Sequence, residues 1–175
     1  MNIIFEIDDV LPQNIYFLEQ KRNIIMDGYF TKLIYSNEHF TMNGIYLHFS
    51  MKDLKLDNIM NKQCVHFHPY HPKNLEFIQT LSMIELHILE LYKKTHKCNK
   101  RISNNLAKQL YSGIVKITKD YYSDEGTSNS NVASNVASSV ASSKSGPYVI
   151  KISGVWENSE DIGITFKLRG TVGSP

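Results

Sequence analysis

The stretch Tyr148–Leu168, Tyr-Val-Ile-Lys-Ile-Ser-Gly-Val-Trp-Glu-Asn-Ser-Glu-Asp-Ile-Gly-Ile-Thr-Phe-Lys-Leu, decides the fold. It reads as two strands joined by a polar connection at Glu157–Asp161. Side chains alternate across a strand, so Ile162, Ile164, Phe166 and Leu168 share one face and Gly163, Thr165, Lys167 and Arg169 the other. In the first strand Ile150, Ile152 and Trp156 share the oily face, with Lys151 and Ser153 opposite. Gly154 interrupts the run and predicts a bulge or bend. The hairpin therefore has an apolar side and a polar side carrying Lys151, Lys167 and Arg169. Such a side is either a solubilised surface or a place where a polyanion sits.

Upstream, the same alternation recurs. Asn2–Ile7 reads as a short strand, and Asp8-Asp9 with Leu11-Pro12 as a solvated turn. Asn14–Tyr35 is strand-like, broken by the turn signal Asp27-Gly28. Beyond it Tyr29, Thr31, Leu33 and Tyr35 share one face, and Phe30, Lys32 and Ile34 the other. Asn43-Gly44 is a second turn signal, after which Ile45, Leu47 and Phe49 alternate with Tyr46 and His48. This half of the chain is expected to form a β-meander.

Between the meander and the closing hairpin the period changes. Asn74–Lys94 is a helix, with Leu75, Ile78, Leu81, Leu86, Leu89 and Tyr92 recurring at helical spacing. Glu76, Glu85 and Glu90 fall outside its densest apolar face and are expected in solvent. Ser103–Ser112 is a second, short helix ended by Gly113, and Gly113–Lys119 a strand. The low-complexity segment 120–146, built on repeated Val-Ala-Ser, cannot bury enough apolar surface to offset its ordering entropy. It is expected to be a flexible loop inside a single domain spanning 1–175.

Composition narrows the function classes. The 175 residues carry a net charge of only +2, so whole-chain charge does not argue for nucleic acid. The distribution does: Lys93, Lys94, Lys97, Lys100, Arg101, Lys108, Lys116 and Lys119 follow one another with no acid among them. Two cysteines, Cys64 and Cys98, are too few for a disulfide framework and favour an intracellular setting. No apolar run reaches membrane-spanning length, and Met1–Val10 lacks a basic n-region, so neither membrane nor signal peptide is expected.

Met51–Lys73 is less regular and contains Cys64-Val-His66-Phe-His68-Pro-Tyr-His71. In an extended chain Cys64, His66 and His68 would project from one side, and with His71 they could hold Zn²⁺. The spacing matches no zinc signature, so a polar strand end is the reading, and no cofactor is expected. The chain also lacks a P-loop, a dinucleotide fingerprint and a nucleophile elbow, and no acid/base pair has a spacing that demands catalysis. A non-enzymatic protein is expected.

The order of elements suits a mainly β, α+β fold: an OB-like antiparallel barrel with one long and one short helix. Met26–Leu47 and Lys151–Leu168 resemble segments of proteins from large nucleocytoplasmic DNA viruses. The closing Gly-Val-Trp and Gly-Ile-Thr-Phe-Lys are similar to the last strands of phage-type single-stranded-DNA-binding proteins found among them. The resemblance implies an OB fold, a homodimer, and single-stranded DNA bound by basic and aromatic residues in replication or recombination, in the host cytoplasm or a viral factory. On this chain Lys32, Lys116, Lys151, Lys167 and Arg169 would contact phosphates, and Tyr46, His48 and Tyr35 would stack bases. One departure stands out. That family ends in an acidic tail, whereas Arg-Gly-Thr-Val-Gly-Ser-Pro here carries no acid. A virion or scaffold protein of the same viral group is the alternative.

Overall fold

The computed structural model describes residues 3–23, 27–59, 62–118 and 148–170. Within them the strands are β1 (Ile15–Arg22), β2 (Tyr29–Ser36), β3 (Thr41–Asn43), β4 (Ile45–Phe49), β5 (Lys55–Ile59), β6 (Lys62–His66), β7 (Arg101–Ile102), β8 (Ile114–Lys116), β9 (Tyr148–Glu157) and β10 (Asp161–Gly170). The helices are α1 (Pro72–His96) and α2 (Asn105–Tyr111). The fold is mixed α+β, mostly strands, with a sheet curled into a half-barrel. The low-complexity segment lies outside the described residues.

The closing hairpin, β9 and β10, is the spine. β9 pairs with β10 on one side and with both β2 and β4 on the other. The two neighbours share one edge because the chain divides at Gly44. β3 still pairs with β2, but β4 leaves it and pairs with β9, so the expected meander is split. Gly44 has φ +83°, and a Cβ there would lie 2.4 Å from the Ile152 carbonyl oxygen, so only glycine lets β4 wedge in. A second sheet, β5-β6-β8, joins the first through the bridge between Ile117 and Leu168. The β5–β6 hairpin was not foreseen, since Met51–Lys73 lacks alternation and all of β5 is exposed. The N-terminal strand shrinks to one bridge, Phe5 with Leu47, followed by a 3-10 turn at Ile7–Asp9.

Gly154 brings the predicted bulge, and with it a correction. Ile152 pairs with Phe166 and Gly154 with Thr165, so Ser153 is an extra residue on β9. The bulge shifts the alternation by one beyond it. Val155, not Trp156, therefore enters the core, where it is fully buried, and Trp156 turns to the outer face.

The inner face holds Leu33, Ile45, Leu47, Ile150, Ile152, Ile162 and Leu168, all buried. α1 crosses it, touching Phe49 through Phe77 at one end and Phe17 through Tyr92 at the other. Glu85 corrects a second expectation. It is fully buried, and its carboxylate accepts the N–H groups of Leu106 and Ala107 at 3.0 and 2.9 Å. Those are unpaired donors of the first turn of α2, so a side chain from α1 caps α2. No described helix is long and apolar enough to cross a membrane.

Candidate nucleic-acid interface

The outer face of the sheet is built in register. Tyr46 on β4 stands beside Lys151 on β9, which stands beside Lys167 on β10. The next row is His48, Val149 and Arg169. Neighbouring strands lie about 4.8 Å apart, so these side chains form one patch. Lys32 continues the face along β2, paired with Gly154, whose other neighbour is Thr165. Lys116 lies on β8 and approaches Lys167 across the mouth of a cleft that both residues line. Lys32, Lys116 and Lys167 are exposed, and none has a carboxylate within 4 Å among the described residues.

The stacking half of the expectation fares differently. Tyr35 is 1% exposed, its ring packs against Phe5 and Phe40, and its hydroxyl accepts hydrogen bonds from Leu11 N–H and Asn14 Nδ2 at 3.2 Å. It is a core residue with no open ring face. Tyr46 is also buried, and the Lys151 ammonium sits 4.9 Å from its ring centroid. That contact holds the charge on the sheet surface but occupies the ring. His48 is half-buried, with Nε2 3.8 Å from Glu6 Oε1. Arg169 is half-buried as well.

Two aromatic rings that sequence reasoning missed stand on the outer face instead. Trp156 lies over Gly163: a Cβ at that glycine would meet Trp156 Cζ2 at 2.4 Å. Phe30 lies over Gly154, whose Cβ would meet Phe30 Cζ at 2.8 Å. Phe30 and Trp156 are themselves cross-strand neighbours. Each ring covers a glycine on the adjacent strand, a device that shields backbone where no side chain does. Gly154 signalled its own ring, since it interrupts an alternating run; Gly163 keeps the alternation and gave no such sign.

The basic stretch is partly neutralised by folding. Lys100 Nζ pairs with Glu157 Oε1 at 2.6 Å, and Arg101 Nε with Asp161 Oδ1 at 2.6 Å. Glu157 also accepts from the Tyr92 hydroxyl at 2.7 Å and from Gln20 Nε2 at 3.1 Å. Burial works to raise the Glu157 pKa, but these hydrogen bonds and the Lys100 charge prevail and hold it below the ordinary value. Burial, aided by the Glu157 carboxylate, pushes the Tyr92 hydroxyl up to about 12. This cluster ties β1, β9, α1 and the approach to β7 together. Lys119 lies outside the described residues.

Cys64, His66, His68 and His71 do not converge. Cys64 is buried on β6, while His66 Nε2 stands 3.6 Å from Asp57 Oδ2. Beyond Phe67 the chain leaves the strand. His68 is exposed against Tyr70, and His71 is the residue preceding α1. No group of three metal-ligating side chains forms among the described residues.

No protein-family model, no curated protein and no solved structure matches the chain.

Proposed function

We propose that this chain is a non-enzymatic protein that binds single-stranded nucleic acid, DNA in particular, and that its curled sheet is a variant of the OB-type barrel. The observation that carries the proposal is the gathering of Lys32, Lys116, Lys151, Lys167 and Arg169 on one side of the curl, with three of the five exposed and without acidic partners among the described residues. A row of ammonium groups on a curved sheet follows a phosphate backbone and gains affinity by releasing its counterions. The resemblance of the closing hairpin to phage-type single-stranded-DNA-binding proteins of large DNA viruses supports the same reading and suggests a role in replication or recombination.

The test is fluorescence anisotropy with a labelled single-stranded oligonucleotide, titrated at several salt concentrations against a duplex control. Binding is expected to prefer the single strand and to weaken with salt by a log–log slope of about −0.7 per phosphate neutralised. Lys32→Glu combined with Lys167→Glu is expected to make the slope shallower by about 1.4 without unfolding the protein, since both side chains are exposed. Wild-type affinity and slope in that variant would remove the face from consideration.

A second reading has its own observation. Tyr16 and Leu18 are exposed on the edge strand β1, and Met83 and Leu86 on α1. An open sheet edge beside exposed apolar side chains suits a structural or interaction protein of a virus particle. That reading predicts no salt-sensitive oligonucleotide affinity and self-association on concentration.

A further inference from the structure

Among the described residues β10 has an open edge between its contacts with β7 and with Ile117. Ser103 N–H donates to the Ile162 carbonyl, and Thr118 N–H to the Leu168 carbonyl, each at 2.8 Å. These carbonyls point away from β9, and strand alternation turns the backbone groups of Ile164 and Phe166 the same way. β7 ends opposite Ile162, and the chain next meets β10 at Leu168. Ile164 and Phe166 therefore have no strand partner on that side among the described residues. The gap opens into a cleft of about 530 Å³ between α2 and β8. That lies within the range of small-ligand sites, about 300–1,000 Å³.

The lining is chemically one-sided. Lys108 of α2, Lys116 of β8 and Lys167 of β10 stand around the cleft, and no Asp or Glu lines it among the described residues. The charge of Lys108 also reaches Asp161 and Glu85. Trp156 lines the cleft too, because Gly163 offers no side chain to stop the indole from crossing β10. One face of its ring is backed by the β10 backbone at Gly163. Shielding a glycine would need the ring alone; it would not need three lysines and a strand edge that is unpaired among the described residues.

We propose that this cleft is the subsite that selects single strands. One unpaired base enters, stacks on Trp156 and meets the edge N–H and C=O groups of Ile164 and Phe166. Lys108, Lys116 and Lys167 hold the phosphates on either side. A base in a duplex cannot enter, because its neighbours and its pairing partner occupy its faces and edge. The inference rests on the reading of the chain as a single-strand binder and supplies what that reading lacked, an aromatic ring that Tyr35 and Tyr46 do not offer.

Trp156 is the only tryptophan, so its emission reports on this cleft and the sheet face beside it, and the lysine variants below separate the two. The experiment records Trp156 fluorescence and anisotropy together while the full chain is titrated with a labelled oligothymidine and with an abasic strand of equal length. Oligothymidine is expected to quench Trp156 and shield it from acrylamide. The abasic strand is expected to bind roughly 5- to 150-fold more weakly, the loss of one stacked base, and to leave the emission unchanged. Lys108→Gln with Lys116→Gln is expected to reduce the salt slope by about 1.4 while the unfolding midpoint stays. Oligothymidine that raises anisotropy but leaves Trp156 unquenched overturns the cleft and spares the sheet-face reading. No rise in anisotropy overturns both.

Discussion

Replacing Glu85 tests how the two helices are held together. Its carboxylate is fully buried and accepts two backbone N–H groups of α2, from Leu106 and Ala107. In Glu85→Ala both donors lose their acceptor inside the protein, at about 1–3 kcal/mol each, and part of this returns because a charge no longer has to be buried. The expected net loss is about 3 kcal/mol. For a chain of this size that lowers Tm by about 6–12 °C. Glu85→Gln keeps one acceptor oxygen and removes the charge, so it should cost about 1 kcal/mol. The pH dependence separates the two effects. Burial is the leading influence on Glu85 and raises its pKa above 4.5, so the folded protein binds its proton more readily than the unfolded chain does. The stability that Glu85 contributes is then fully present below 4.5 and declines as pH rises through the raised folded value. The gap between wild type and Glu85→Gln in urea unfolding should therefore narrow from pH 4.5 to pH 7. A gap that widens over that range would falsify the argument, because it would mean that the hydrogen bonds outweigh burial and the carboxylate prefers to be charged.

Glu157 should behave in the opposite sense. Its folded pKa lies below 4.5, so its contribution is present above 4.5 and lost as pH falls through the lower folded value. Glu157→Gln is expected to cost about 2 kcal/mol at pH 7, with the two unfolding curves converging in acid; a constant gap down to pH 3 would refute the pairing with Lys100 as the source. Gly44→Ala should destabilise by about 2 kcal/mol or more, because φ is +83° and the new Cβ would press on the Ile152 carbonyl. Hydrogen exchange should show the β4–β9 pairs opening first in that variant, and unchanged protection there would place the wedge elsewhere.

Local pattern by itself determined the elements whose cause is local. Alternation placed the closing hairpin, although Glu157 and Asp161, expected in its connection, belong to the strands and only 158–160 joins them; Gly154 marked its bulge. Helical spacing placed α1, and Gly113 ended α2, because φ +72° there suits a residue without a Cβ. The same alternation put Lys151 and Lys167 on one face, where the structure has them as direct neighbours. What only the tertiary structure decided depends on partners far away in the chain. Which way the bulge turned Trp156, and whether β4 stayed with β2 or moved to β9, follow from strand register, which no single strand encodes. Tyr35 and Glu85 carry polar atoms that alternation and helical spacing assign to no particular surroundings. They are buried because Leu11 and Asn14 in one case, and the start of α2 in the other, supply the hydrogen bonds that make burial tolerable. Lys100 and Arg101 look the same in sequence as Lys116 and Lys167, yet the first two are paired and the last two have no carboxylate beside them among the described residues, because a charge is neutralised by whatever the fold brings near it.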